Sequence, residues 1–372
     1  MVVSPKSALF RPIQVGTMHL STRIALAPMT RLRGNEQHEV HDLHVEYYTQ
    51  RAHTPGTLLI TEATSVDEKS GFYAGSPGIY TDAQVAAWKK VVDAVHAKGS
   101  FIYLQLWAQG RTADPTIMGA VGADVVSASD VPLAEDRPAP RPLTVEEIKE
   151  NVRWFARAAK RFVEEAGGDG IEIHGANGYL LDQFLQTNSN KRTDSYGGSV
   201  ENRARFPLEV VDAVVASIGA ERTGVRFSPF STFQGMRMPS TADIKETFGY
   251  VTEEIRKRHP NVAYLHFIEP RFNDFQVKDV AEEENLDFVR DIWSPRPLIV
   301  SGGHTAETAA ETADKHENTI VSFGRHFTSN PDLIRRFKES IPLTPYQREL
   351  FYIPNGGAQG FTDFPVASEL KN

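Results

Sequence analysis

The seven residues 101–107, FIYLQLW, indicate most directly how this chain folds. Apolar residues at positions 102, 104 and 106 alternate with Tyr103, Gln105 and Trp107, so the run predicts a β-strand with two different faces. The apolar face suits contact with helices, whereas the other face carries polar and aromatic groups. The same division recurs in GIEIHGA (170–176), where Glu172 and His174 alternate with isoleucines. This pattern favours strands that close into a barrel, with the polar face inside.

Runs of the same kind recur along the chain, and helical segments separate them. Residues 81–99 and 144–167 show the 3.6-residue period of amphipathic helices, and Thr144 with Glu147 forms a capping-box pattern. Strands joined by helices run parallel, because only a long crossover returns the chain in the same direction. The other predicted strands are 23–29 (RIALAPM), 57–63 (TLLITEA), 223–229 (TGVRFSP), 263–270 (AYLHFIEP), 297–303 (PLIVSGG) and 319–325 (TIVSFGR).

About eight such β-then-α units fit either a closed barrel or an open, doubly wound sheet. The open sheet usually carries G-x-G-x-x-G after its first strand, whereas the first strand here ends in APMT (27–30). We therefore expect an α/β fold of the TIM (β/α)8 class, with residues 1–372 forming one domain. The longest predicted loops, 108–143, 177–198 and 271–285, follow the C-terminal ends of strands.

Composition excludes several kinds of function. The 372 residues carry 40 Lys and Arg against 48 Asp and Glu, a formal charge of −8, which argues against nucleic acid as a partner. Because there is no cysteine, disulfides, thiol catalysis and cysteine-ligated metals are excluded. We find no signal-peptide pattern and no apolar run of the roughly 18–20 residues that cross a bilayer. We expect a cytoplasmic protein with no membrane partner.

Polar residues collect at the predicted strand ends, where TIM barrels place their active sites. Two glycine turns stand out there, because glycine lets backbone N–H groups approach a ligand and an arginine fork suits phosphate oxygens. The loops after strands seven and eight are the usual phosphate site of such barrels. We therefore predict a phosphate site at these turns, which contain Gly303, Gly324 and Arg325.

His174 and Asn177 flank a sharp turn after the fourth strand, and Tyr179 follows. Two hydrogen-bond donors that converge on one acceptor stabilise negative charge as it develops on a carbonyl oxygen. We predict that these residues form the reactive end of the site.

Other motifs fit known catalytic patterns less well. His38, His41 and His44 resemble a zincin site, but their spacing is wrong, and we expect a solvated helix start. The G-x-S-x-G pattern of a hydrolase nucleophile is absent. Glu172 fits a catalytic carboxylate or an ion pair inside the barrel. The residues alone thus predict a barrel enzyme that binds a phosphorylated cofactor or substrate.

Several longer stretches resemble the Old Yellow Enzyme family over nearly the whole chain. They include ALAPMTRLR (25–33), VEYYTQRA (45–52), PGTLLITEAT (55–64), FIYLQLWAQGR (101–111), GIEIHGANGYLLDQFL (170–185), NKRTDSYGGSVENRARFPLEV (190–210) and SFGRHFTSNPDL (322–333). The likeness is greatest to the fungal and plant branch of flavin-dependent ene-reductases.

This resemblance implies noncovalently bound FMN, with NADPH as the hydride donor. It implies that the flavin ring contacts Thr30, Ala63, Gln105 and Arg226, and that Gly303, Gly324 and Arg325 hold its phosphate. His174 and Asn177 would bind the carbonyl oxygen of an α,β-unsaturated ketone or aldehyde, and Tyr179 would protonate its α-carbon. The implied substrate slot is formed by Tyr73, Trp107, Phe272 and Tyr352. The resemblance further implies ping-pong turnover by a monomer or homodimer.

Two other functions remain open for these residues. A lyase or isomerase that binds a sugar phosphate would use the same phosphate loops, although no predicted strand end offers a convincing lysine. A barrel that acts only as a binding partner would not need the polar set.

Overall fold

Eight parallel strands form a closed barrel in the computed structural model, which describes residues 3–273, 276–277, 279 and 281–367. The barrel strands are β1 (Ile24–Leu26), β2 (Leu58–Ile60), β3 (Phe101–Trp107), β4 (Gly170–Gly175), β5 (Thr223–Phe227), β6 (Tyr264–Ile268), β7 (Leu298–Ser301) and β8 (Thr319–Phe323). Each strand pairs with the next, and β8 returns to β1 through Ser322 opposite Ala25. The predicted TIM-barrel fold is confirmed.

A helix follows every barrel strand within the described residues. These helices are α1 (Asp42–Arg51), α2 (Asp82–His96), α3 (Val145–Lys160), α4 (Val200–Ile218), α5 (Thr241–Arg258), α6 (Asp287–Trp293), α7 (Ala306–Lys315) and α8 (Leu333–Glu339). The capping box predicted for α3 is present: the Thr144 side chain accepts the N–H of Glu147, and the Glu147 carboxylate accepts the N–H of Thr144. A π-helical turn, Arg161–Glu165, continues α3.

The two faces of β3 pack against different parts of the protein, as its alternation of side chains predicts. Ile102, Leu104 and Leu106 belong to the large apolar cluster between barrel and helices. Tyr103 instead packs inside the barrel with Tyr264. An antiparallel hairpin, Ile13–Val15 with Met18–Leu20, closes the N-terminal end of the barrel and adds its apolar side chains to the interior cluster. The N-terminal end is therefore filled, and a cavity must lie towards the opposite end.

The long loops at the C-terminal ends of the strands contain short elements of their own. These are three short helices (Pro115–Ala120, Leu180–Leu185, Arg325–Ser329), the strand pairs Val126–Ser127 with Arg141–Pro142 and Phe272–Asn273 with Gln276–Val277, and the strand Thr64–Ser65. Turns of 3₁₀ helix span Ala8–Phe10, Glu68–Ser70, Gly110–Thr112, Ala220–Arg222, Phe233–Gly235 and Arg348–Leu350. The predicted loop 271–285 is only partly covered, because residues 274, 275, 278 and 280 lie outside the described residues.

The prediction of a solvated histidine-rich helix start is wrong for His44. His41 caps α1, its ring accepting the N–H of Leu43, but the His44 side chain is completely buried. Burial, together with electrostatic repulsion from His41 and Arg33, lowers the pKa of His44 to about 3. His44 is therefore a neutral internal residue whose Nε2 lies 3.6 Å from the Glu62 carboxylate.

Candidate active site

A cavity of about 440 Å³ opens at the C-terminal ends of the barrel strands. Most of the predicted site residues line it, although they come from eight different segments of the chain. The predicted residues that line the cavity are Thr30, Tyr73, Gln105, His174, Asn177, Tyr179, Arg226, Phe272, Arg325 and Tyr352. The structure thus brings the residues predicted for the flavin ring, the carbonyl oxygen and the proton transfer into one space.

Four predicted residues lie outside the immediate lining. Trp107 and Ala63 are buried, and the Trp107 ring packs 5.4 Å from Tyr73 and 5.2 Å from Tyr179 between ring centroids. Trp107 therefore supports the tyrosines from behind. Gly303 and Gly324 lie at the ends of β7 and β8 and offer backbone rather than side chain.

Sequence reasoning missed part of the lining. These additional residues are Pro28, Met29, Leu32, Ser231, Phe233, Ile268, Arg348 and Phe351. Pro28 and Met29 adjoin Thr30 just after the first strand, so the rule that barrel sites lie at the C-terminal ends of the strands covers them as well. No sequence signal identifies Arg348, because its place in the wall depends on how the C-terminal segment returns to the barrel.

His174 is held as a neutral hydrogen-bond donor. Its Nδ1 accepts the backbone N–H of Ala176 at 3.3 Å, so the ring proton resides on Nε2. Burial holds the pKa of His174 well below its ordinary value, and the positive charge of Arg226 acts in the same direction. The cavity consequently receives an uncharged N–H donor from β4.

Asn177 adopts a left-handed backbone conformation, with φ of 58°. Its N–H donates to Ser228 Oγ at 2.7 Å, and its carbonyl accepts from Gln234 Nε2 at 3.0 Å. The segment after β5 therefore fixes both backbone groups of Asn177, and Asn177 lines the same cavity as His174. Two residues with neutral hydrogen-bond donors therefore line one cavity, and their backbones are held within the fold itself.

Tyr179 lies at the start of the short helix Leu180–Leu185, and its ring packs 5.0 Å from that of His174. Burial raises the pKa of Tyr179 well above its ordinary value, and its neighbour Tyr73 raises it further. A hydrogen bond from Gln234 opposes this shift without cancelling it. The hydroxyl of Tyr179 thus stays protonated at neutral pH.

A buried polar network supports the floor of the cavity. Gln105 Nε2 donates to Glu172 Oε1 at 2.8 Å, and the other Glu172 oxygen lies 2.8 Å from His266 Nδ1. Burial alone would raise the pKa of Glu172, but attraction to His266 and Arg226 holds it below its ordinary value. Burial also lowers the pKa of His266, so Glu172 is an internal carboxylate held by hydrogen bonds and by the charge of Arg226.

Arg226 projects from β5 into the cavity and is almost fully buried. Burial lowers its pKa, and the opposing charge of Glu172 limits that effect. Its Nε has no hydrogen-bond partner in the described part of the chain. A buried guanidinium with an unused donor is suited to a ligand that carries or gains negative charge.

The glycine turns after β7 and β8 are closely covered. A Cβ at Gly324 would lie 2.5 Å from Met29 Sδ, and one at Gly303, where φ is 66°, would lie 2.3 Å from Val277 Cγ2. Arg325 stacks on Phe272, with its guanidinium carbon 4.8 Å from the ring centroid. A side chain at either position would displace Met29 or Val277, so this end offers glycine backbone together with the guanidinium of Arg325.

Comparison with known proteins decides what kind of site this is. The model of the NADH:flavin oxidoreductase / NADH oxidase family matches residues 8–344. The chain belongs to this family. Membership makes it a flavin oxidoreductase of the Old Yellow Enzyme type and confirms the predicted resemblance. It also favours the oxidoreductase over the sugar-phosphate lyase or isomerase that the residues alone left open.

Individual flavin oxidoreductases resemble the chain over almost its full length. Chanoclavine-I aldehyde reductase fgaOx3 of Penicillium roqueforti (strain FM164) is 49% identical over 368 residues, which cover 98% of this chain and 97% of that protein. Old Yellow Enzyme from Pichia sp. AKU4542 superposes with a TM-score of 0.92 at 37% identity and covers 99% and 96% of the two chains. Morphinone reductase in complex with tetrahydroNAD gives 0.87 at 37% identity, with 98% and 99% covered.

The donor set of this flavin oxidoreductase fits FMN. Gln105 and Arg226 offer an amide and a buried cation with an unused Nε, which match the polar edge of a flavin ring. The covered glycine turns and Arg325 match a phosphate group.

Among the described residues, no group of three or more His, Asp or Glu side chains is arranged to hold a metal ion. Within the same residues, no helix is long and apolar enough to cross a membrane.

Proposed function

We propose that this flavin oxidoreductase binds FMN noncovalently and uses NADPH to reduce the activated C=C bond of α,β-unsaturated aldehydes and ketones. One observation carries the proposal: His174 and Asn177, two residues with neutral hydrogen-bond donors, line one cavity with Tyr179, whose hydroxyl stays protonated. This combination suits a substrate in which a carbonyl oxygen gains negative charge while a neighbouring carbon takes a proton.

The residues that would hold FMN divide into two groups. Thr30, Ala63, Gln105 and Arg226 would contact the ring, and Gly303, Gly324 and Arg325 would hold the phosphate. The chemistry that bound FMN supplies is hydride transfer, from the nicotinamide cofactor and then to the second substrate, in a ping-pong sequence. The buried charge of Arg226 favours a ligand with greater negative charge near it, so it would stabilise the reduced form.

His174 and Asn177 would act on the carbonyl oxygen of the second substrate. A neutral histidine donor does not transfer its proton outright, so it polarises the carbonyl and stabilises the oxyanion as it forms. Since the charge is larger in the transition state than in the bound substrate, the two hydrogen bonds strengthen as the reaction proceeds. This differential binding lowers the barrier.

Tyr179 would protonate the α-carbon. Its raised pKa keeps the proton in place until a strongly basic carbon develops nearby, and Tyr73 lies close enough to assist its return to the protonated state. Tyr73, Phe272 and Tyr352 would line the slot and exclude water, and Trp107 would shape it indirectly by packing behind Tyr73 and Tyr179. The name of the P. roqueforti relative, an aldehyde reductase, supports an aldehyde as one class of second substrate.

A visible spectrum followed by one assay tests the proposal. Purified protein should show flavin absorbance, and heating should release FMN in solution. NADPH oxidation should then depend on cyclohex-2-enone and yield the saturated ketone. A colourless protein, or reduction of the C=O group instead of the C=C bond, would overturn the proposal.

Tyr179→Phe separates proton transfer from hydride transfer. We expect flavin reduction by NADPH to persist, while turnover of a weakly activated enone falls by about 10²-fold, within the usual range for general acid catalysis. Tyr346→Phe is a matched control, since this hydroxyl bonds Arg325 rather than facing Tyr179. Equal losses in both half-reactions of Tyr179→Phe would contradict the proton-donor role.

A further inference from the structure

The segment that follows β1 presents two different faces. Thr30 and Leu32 line the cavity, whereas Arg31 and Arg33, which alternate with them, are 0% and 1% exposed. Two buried guanidinium groups are costly unless their donors are satisfied. The partners of these arginines therefore indicate what the segment is built to hold.

Arg33 donates mainly to backbone carbonyls of the C-terminal segment 348–361. Its Nη2 bonds Leu350 O at 2.9 Å and Gln359 O at 3.0 Å, and its Nη1 bonds Phe351 O at 3.0 Å. Arg31 adds a bond from Nη2 to Gly360 O at 2.6 Å. Two arginines next to Thr30 thus fasten a segment that lies more than 300 residues away in sequence.

The turn that carries these arginines is itself fixed. Leu32 has a φ of 59°, an unfavourable value for a residue with a side chain. Glu62 Oε2 accepts the N–H of Arg31 at 3.1 Å, and Leu32 O accepts the N–H of Asn355 at 2.9 Å. These bonds hold the left-handed turn that directs Arg31 and Arg33 to the same side.

The fastened segment forms one wall of the cavity. Arg348, Phe351 and Tyr352 line it, and the Tyr352 side chain is 45% exposed at the mouth. The wall contains no regular helix or strand apart from the turn Arg348–Leu350. Its position therefore depends on side-chain anchors rather than on a hydrogen-bonded ladder.

We propose that Arg33 is a positioning residue that sets this C-terminal wall and thereby decides how large a second substrate the cavity accepts. The inference rests on the proposed function for its substrate class. Arginine is required because its planar fork reaches three carbonyls in fixed directions, which the single ammonium of lysine cannot reproduce. Arg33 does not line the cavity, so it acts through Phe351 and Tyr352.

Arg33→Lys tests the proposal against Arg336→Lys as a matched control. Arg336 is also buried and also bonds tail carbonyls, those of Pro342 and Pro365, but it does not line or fasten the cavity wall. Hydrogen exchange should accelerate by roughly tenfold in peptides covering 345–362 of Arg33→Lys alone, because loss of an anchor promotes local opening. This measurement does not depend on enzyme activity.

Steady-state kinetics supply the second readout. The ratio of the KM for 3-(naphthalen-2-yl)propenal to that for cyclohex-2-enone should fall roughly fivefold in Arg33→Lys, the equivalent of about one hydrogen bond. The effect should appear in KM rather than in kcat, and Arg336→Lys should leave the ratio unaltered. Accelerated exchange in 345–362 with the same KM ratio would make Arg33 a purely structural residue and overturn the proposal, and so would unaltered exchange.

A second variant covers the case in which Arg33→Lys does not fold. Tyr352→Ala removes an exposed side chain from the same wall, and an unaltered KM ratio in that variant would also overturn the proposal. If the protein shows no flavin-dependent turnover at all, the proposed function fails, while hydrogen exchange still reports on the anchor.

Discussion

The two ends of the cavity, which we propose to bind a carbonyl oxygen and a phosphate group, are built in different ways. The carbonyl side, residues 174–179 after β4, is held by hydrogen bonds: the N–H of Ala176 donates to the His174 ring, and Ser228 and Gln234 bond the backbone of Asn177. The phosphate side, residues 302–304 and 324–325 after β7 and β8, presents glycine backbone and Arg325 stacked on Phe272. Hydrogen bonds hold the carbonyl side in place, whereas neighbouring side chains packed over glycine turns shape the phosphate side.

The difference follows from when the charge is present. A phosphate group is charged before and after the reaction, so backbone donors and one cation would bind it throughout. Charge on a carbonyl oxygen appears only as the reaction proceeds, and donors help most if they are already aligned. We therefore expect changes on the carbonyl side to affect rate and changes on the phosphate side to affect cofactor retention.

Removing a hydrogen-bond donor from the carbonyl side should cause the largest loss of catalytic efficiency. His174→Ala should lower kcat/KM for cyclohex-2-enone by about 10²–10³-fold, the usual loss for one oxyanion donor. FMN content should remain close to that of the wild type. Steady-state kinetics on flavin-saturated protein check this prediction. A loss of flavin content with kcat/KM unaltered would show that His174 binds the cofactor and not the carbonyl oxygen.

The rigidity of the carbonyl side should also appear in the pH dependence of stability. Asp182 accepts the N–H of Gly178 at 2.9 Å and the side chain of Gln186 at 3.0 Å, and burial raises its pKa from 3.8 to about 7. A raised acid pKa favours the folded state at low pH, and this contribution is lost as pH rises towards 7. Between about pH 5 and pH 7 the wild type should lose about 2 kcal/mol relative to Asp182→Asn.

Urea unfolding at several pH values measures this difference. The comparison with Asp182→Asn is needed because burial also raises the pKa of Glu62 to about 7, which gives a slope of the same sign in both proteins. Parallel stability curves for the wild type and Asp182→Asn would show that Asp182 does not titrate as the contacts imply.

A change on the phosphate side should have the smallest effect on catalysis. Arg325→Ala should weaken FMN binding roughly tenfold, because it removes one charge-assisted contact. Reconstitution of the apoprotein with FMN, followed by fluorescence, gives the dissociation constant. Binding of riboflavin, which lacks the phosphate, should be unaltered by the same substitution, and an equal loss for both ligands would refute a phosphate contact.

Much of the fold could be predicted from sequence because its signals are local. Strand alternation in β3 and β4 and the capping box of α3 depend on neighbouring residues, and all three are present. Placement of His174 and Asn177 at the site followed from the rule that strand ends meet at one face, whereas the family resemblance placed Thr30 there. The burial of His44 and the wall formed by Arg348 and Phe351 were missed, because they depend on contacts between distant segments.

The most direct test of the division between the two sides is single-turnover oxidation of NADPH-reduced, flavin-saturated enzyme by cyclohex-2-enone. Stopped-flow absorbance would compare the wild type, His174→Ala and Arg325→Ala. We predict a rate about 10²-fold lower in His174→Ala, as for other oxyanion donors, and a rate near that of the wild type in Arg325→Ala. Equal rates in the two variants would contradict the assignment of charge stabilisation to the carbonyl side.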